Sequence, residues 1–274
     1  MASWTHESSS GEDTLWLKDL LPHRIPNARV MTFSYMATII GNASVGGIRD
    51  NARALLGLLT DEREDNEDRK RPIVFLGHSL GGIIIKQTSW TSLALYLTAG
   101  QALRIANNEA NFSDIARCTK GILFFGTPHR GATAAKWLSL VTDIAATAYD
   151  KPRSAFVDVL EPNSQDLMDV SEDFRSIATR YALITFVEQD IFDNIGSVIV
   201  EKHSAVMELA HEEVMMLSGN HLSLCKFTAG DKRFDAVCRR IKRAARGPQC
   251  QGNFDQVGEF HGSFDGRDFR LSTR

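Results

Sequence analysis

Residues 72–82 read Pro72-Ile73-Val74-Phe75-Leu76-Gly77-His78-Ser79-Leu80-Gly81-Gly82. The front of this stretch is apolar, β-branched and aromatic, and it is bounded by Pro and Gly. That pattern predicts a strand. A helical run is expected from Leu80 to about Thr98. Between them stands Gly77-His78-Ser79-Leu80-Gly81, a G-x-S-x-G match. The match alone is weak, but strand, turn and helix in immediate succession make it specific. The glycines have a physical reason: the turn is sharp, and strand and helix pack too closely for side chains there.

The same alternation runs outward along the chain. Further strands are expected at Ala28–Tyr35, Gly121–Phe125, Ala182–Val187 and Ser197–Val200, with a last strand-like run at Val214–Leu217. Runs such as GILFFG are apolar throughout, as in parallel strands covered on both faces. Helical spacing appears at Ile48, Ala52, Leu55, Leu56 and Leu59, and at Phe234, Val237, Cys238 and Ile241. Alternating strands and helices predict an α/β fold with a doubly wound, mostly parallel sheet.

Composition agrees with a globular protein. The chain has 274 residues, 43% hydrophobic and 24% charged, with a net charge of −3. Global disorder, collagen and coiled coil are excluded, and charge gives no reason to expect a nucleic-acid partner. Cys118, Cys225, Cys238 and Cys250 form no CxxC, which removes zinc-ribbon and thioredoxin-type readings and makes a reducing, intracellular setting the default. Residues 1–14 resemble neither a signal peptide nor a transit peptide. The best membrane-span candidate, Gly82–Gly100, is interrupted by Lys86 and Gln87. The cytoplasm is therefore the default compartment. The charge run Asp61–Arg71 reads as a solvated helix end and loop. Residues 1–246 are expected to form the domain. Residues 247–274 mix Gly, Asp and isolated Phe without a period and are expected to be a poorly ordered tail.

Ser79 is the candidate nucleophile. It would project at the carboxyl end of a central strand and at a helix N-terminus, where the Leu80 N–H could donate to an oxyanion. A serine nucleophile needs a base, and the base needs an acid, in the chain order Ser, acid, His. His221 lies in a loop after the last strand-like run and before a helix, the position the mechanism requires. His129 reads as a strand-end turn residue, and His203, His211 and His261 are less well placed. Glu188 directly follows the strand Ala182–Val187 and is the leading acid; Glu201, Asp190 and Asp193 remain alternatives. Such a triad needs no metal or organic cofactor.

GHSLGG, IIIKQ, KGILFFGTPHRG and NHLSLCKF together resemble the lipase-like α/β-hydrolases related to the serine-active-site phospholipid-remodelling protein. The same domain stands at the N-terminus of fungal multidomain proteins with NACHT, ankyrin or TPR modules. The resemblance spans about Ser3 to Ala245. It implies an α/β-hydrolase fold and ester hydrolysis on a lipid or acylated substrate. It carries over Ser79 and His221 and supports Glu188. It also hints at mitochondrial or endoplasmic-reticulum membranes. Family members begin with a strand and a His-Gly-Leu-Gly-Gly type turn, ahead of a Trp-Thr like that in Ser3-Trp4-Thr5. No HGxGG and no strand-like run before Ala28 occur here. A central strand beside the nucleophile strand, and the second oxyanion donor, are thus expected to be missing.

Three functional readings follow. The first is a serine ester hydrolase acting through an acyl-enzyme. The second is an inactive, hydrolase-like interaction domain, motivated by the missing strand. The third adds peripheral membrane contact through the basic amphipathic stretch Lys232–Arg246; the plainer reading makes that stretch a helix packed on the sheet. Residues 131–179 could form a cap, with Trp137, Leu138, Leu140, Val141 and Ile144 as an acyl-chain surface or as ordinary sheet packing. The residues do not name the substrate or the oligomeric state.

Overall fold

The computed structural model describes residues 2–8, 11–34, 45–89, 109–130, 139, 142–143, 164–191 and 196–248. Two-residue strands β1 (Thr5–His6) and β2 (Thr14–Leu15) pair antiparallel. They are too short to show any periodicity in the sequence. A four-stranded sheet follows, made of β3 (Ile73–His78), β4 (Thr119–Phe125), β5 (Ala182–Glu188) and β6 (Glu212–Leu217). Its strands lie in the order β3-β4-β5-β6, and every neighbouring pair is parallel. The main helices are α1 (Val45–Asp61), α2 over 81–89, α3 (Glu109–Cys118), α4 (Ser164–Ile177) and α5 (Lys232–Ala244). This is the α/β architecture that the alternation predicts.

Both faces of the sheet are buried, which explains the continuous apolar runs. Leu123, Phe125, Ile184 and Phe186 pack with Trp16, Phe234, Val237, Cys238 and Ile241, so α5 and the N-terminal segment cover one face. Ile122, Phe124 and Leu183 point the other way, against Ile85, Phe174, Ile177 and Tyr181 of α2 and the α4 region. Alternation within each strand divides neighbouring phenylalanines between the two cores. Each fully buried Phe contributes about 1.5–3 kcal/mol from apolar area. The N-terminal segment is tied in by Trp16, whose indole N–H donates to the Cys225 carbonyl at 2.8 Å. The apolar face of α5 is used up in this packing, while Arg240 and Arg243 pair with Glu213. No helix among the described residues is long and apolar enough to cross a membrane.

Three local expectations need correction. Ala28–Ser34 forms no strand, and Val30 and Met31 are exposed. Its polar contacts are of another kind: Arg29 pairs with Glu62 and Asp68, and Arg71 donates to the Asn27 carbonyl. Among the described residues β3 is bonded to a strand on one edge only, by β4. Ser197–Val200 is likewise a bridge and bends rather than a strand. Within the charge run, Arg63 is buried and donates to the carbonyls of Arg69 and Arg71, at 3.0 and 2.9 Å. That guanidinium closes the turn into β3 instead of facing solvent. The expected cap residues Trp137, Leu138, Leu140, Val141 and Ile144 lie outside the described residues, as does the tail beyond residue 248.

Candidate active site

The sheet register brings the carboxyl ends of its strands level. His78 lies opposite Phe125, Phe125 opposite Phe186, and Glu188 opposite Leu217. Ser79 follows β3 directly, Glu188 ends β5, and His221 follows β6 by a short loop. Three elements distant in sequence therefore meet along one edge of the sheet.

Ser79 adopts φ 54°, one of two positive-φ non-glycine residues among those described. A residue with a Cβ is held there at a cost, and here the surroundings enforce it. The Ser79 N–H donates to the Phe125 carbonyl at 2.9 Å, and Gly82 N–H donates back to the Ser79 carbonyl at 3.1 Å. A Cβ at Gly77 would lie 2.8 Å from the Gly82 Cα, and one at Gly82 would lie 2.2 Å from Thr127 Oγ1. Strand and helix are thus too close for a side chain at Gly77, and the start of the helix is too close to Thr127, just past β4, for one at Gly82. Gly82→Ala is expected to lower stability by roughly 1–3 kcal/mol through overpacking, measured as a shift in urea midpoint.

The structure brings Ser79, His221 and Glu188 together. His221 Nε2 is 3.0 Å from Ser79 Oγ. His221 Nδ1 is 3.4 Å from Glu188 Oε1, and both side chains are almost wholly buried. The second contact is an ion-pair distance without hydrogen-bond alignment, since Nδ1 has no hydrogen-bond partner among the described residues. Such contacts are often loose without substrate and tighten when it binds. Glu188 Oε1 also accepts the Val200 N–H, which fixes the carboxyl group. Leu80, buried, follows Ser79 at the entry to α2.

The alternative acids are placed elsewhere. Glu201 does not end a strand; it precedes the short helix Lys202–Ala205 and pairs with exposed His203 at 3.0 Å. Asp190 meets the base loop through backbone, not through the imidazole. Its carboxylate accepts Gly219 N–H at 2.8 Å, and its own N–H donates to the Gly219 carbonyl at 3.2 Å. Asp193 lies outside the described residues. Arg233 adds a bond to the Ser218 carbonyl at 2.5 Å, and Asn220 Oδ1 accepts the N–H groups of Leu222 and Ser223. The sequence pattern does not mark these loop holders: an acid two residues past a strand is their one signal, and it suggests a contact with the imidazole rather than with the Gly219 main chain.

Two further titratable side chains are buried, His129 and Lys86. His129 follows β4 and is buried against the edge of the Phe124 ring, with both ring nitrogens unpartnered among the described residues. Burial first, then Lys86, holds its pKa well below the usual value. Lys86 on α2 is fully buried, and Nζ donates to Ser171 Oγ at 3.0 Å. Burial lowers its pKa to about 7, against the opposing pull of Glu212 and Glu172. The unfolded chain, with an ordinary lysine near 10.5, keeps a proton that the native state releases between these values. Stability should therefore rise with pH through that window, by roughly 3 kcal/mol from about pH 7 to about pH 9.5. Lys86→Met should flatten the rise, read from urea midpoints across the window.

Comparison with known proteins adds the relatives. No family model matches the chain. Protein SERAC1 of Danio rerio is 25% identical over 220 residues, covering 77% of this chain and 30% of that protein. The ankyrin repeat domain-containing protein SAT10 of Stachybotrys chartarum is 28% identical over 186 residues, covering 63% of this chain and 10% of that protein. At these identities the chain is distantly similar to both proteins, and its parallel sheet and elbow fit an α/β-hydrolase fold. It spans less than a third of the length of either relative. A solved lipase, BlEst2 of Bacillus licheniformis, aligns with a TM-score of 0.41 at 17% identity, over 71% of this chain and 74% of its own. In this chain the elbow at Ser79 stands on a sheet in which, among the described residues, β3 is an edge strand.

Proposed function

We propose that the chain is a serine hydrolase that cleaves carboxylic esters, with a lipid ester as the substrate its motif resemblance implies. The observation that carries this reading is Ser79 at positive φ with His221 Nε2 3.0 Å from its hydroxyl. Ser79 Oγ attacks the ester carbonyl while His221 Nε2 takes its proton. The Leu80 N–H stabilises the tetrahedral oxyanion. His221 then gives the proton to the leaving alkoxide, and the acyl group stays on Ser79. Water, deprotonated by the same imidazole, releases the acid and restores the enzyme. Glu188 orients the imidazole and offsets its charge when protonated.

A second reading is a hydrolase-like interaction domain without turnover. A fluorophosphonate probe separates the two. Labelling of the peptide that contains Ser79, found by mass spectrometry, supports the hydrolase. A folded protein that stays unlabelled sinks it.

A further inference from the structure

We propose that His78 is a positioning residue for His221, so that the elbow which presents the nucleophile also aims the base. The proposal rests on the hydrolase reading for its kinetic part and on geometry for the rest. His78 is the last residue of β3 and the immediate neighbour of Ser79. Its Nε2 lies 2.8 Å from the main-chain carbonyl of His221. A carbonyl only accepts, so Nε2 carries the proton and donates. The two imidazole rings stand 5.1 Å apart, tilted by 41°. Trp4 faces the His78 ring edge-on at 6.5 Å, and itself packs on Phe125 of the neighbouring strand.

The consequence is a closed link. Ser79 Oγ meets the His221 side chain, and the residue before Ser79 meets the His221 main chain. The base is thus held at both ends by consecutive residues of one turn. Asp190 fixes the same loop two residues earlier, at Gly219. Main-chain placement matters because a misplacement of about 1 Å can cost roughly 100-fold in rate. His78 is also suited to stay a neutral donor. Burial, and then nearby His221, lowers its pKa to about 3. It adds no second positive charge beside an imidazolium that forms during turnover.

The test uses His78→Gln and His78→Leu in the full chain, with circular dichroism to verify folding. A Gln amide nitrogen reaches about where the imidazole Nε2 sits and donates; Leu cannot. On a soluble p-nitrophenyl ester, His78→Leu is expected to lower kcat by about 10- to 100-fold with KM changed less than about threefold. His78→Gln should recover most of that loss. Nitrogen-15 histidine spectra read the His221 ring without any need for turnover. Its signals should shift or broaden in His78→Leu and stay near wild type in His78→Gln. Equal effects of Gln and Leu, or unchanged His221 signals in both, overturn the proposal. If the wild type neither labels nor turns over, the hydrolase reading fails, and the histidine spectra still decide the positioning role.

Discussion

Ser79→Ala abolishes fluorophosphonate labelling and lowers kcat/KM for a short-chain ester by about 10⁴-fold or more, while the protein stays folded. The size follows from the loss of the covalent route: triad members act as one unit, and removing one loses most of what removing all would lose. Folding survives because Ala pays the same backbone penalty at φ 54° as Ser does. The expected stability change is a loss of about 1–3 kcal/mol, from leaving the buried His221 Nε2 without its hydroxyl partner. His221→Ala should lose a similar amount of activity. The double variant should be no worse than either single one, since neither residue works alone. Turnover retained by Ser79→Ala would mean that another group does the chemistry. Additive losses would mean that Ser79 and His221 act separately.

The elbow and the two-faced sheet were legible because both depend on local sequence. Gly77, Ser79 and the apolar run before them encode a turn whose geometry few other residues permit. GILFFG reads as a doubly covered strand because both faces of β4 meet apolar neighbours. His221 was legible from chain order, since the loop after the last strand is where the fold returns to the serine. What was not legible depends on partners distant in sequence. VMTFS, residues 30–34, has strand composition, yet composition makes a strand only when the backbone is paired in a sheet, and these residues are not. Arg63 looks solvated within a run of charges, and only the fold reveals the two carbonyls it satisfies. Asp190 and Glu188 stand two residues apart in an acid-rich stretch. One meets a main-chain N–H and the other an imidazole, a difference set by where strand β5 ends.

That difference makes the acid the sharpest test of the site. Glu188→Gln is expected to lower kcat by roughly 10²- to 10⁴-fold, with KM little changed. The amide oxygen can still accept the Val200 N–H, so the side chain keeps its place. What it loses is charge. At 3.4 Å from His221 Nδ1, and with an effective dielectric near 20, a full negative charge favours the imidazolium by up to about 5 kcal/mol. The transition state contains that imidazolium and the resting enzyme does not, so the loss falls on kcat. Glu201→Gln should change kcat less than about twofold, because its side chain is exposed and its contact with exposed His203 is weak in water. Asp190→Asn should fall between them, since the amide oxygen can still accept Gly219 N–H while the charge on that loop is lost. Side-by-side turnover of the three variants ranks the acids. A loss in Glu201→Gln or Asp190→Asn as deep as that in Glu188→Gln would take the assignment from Glu188.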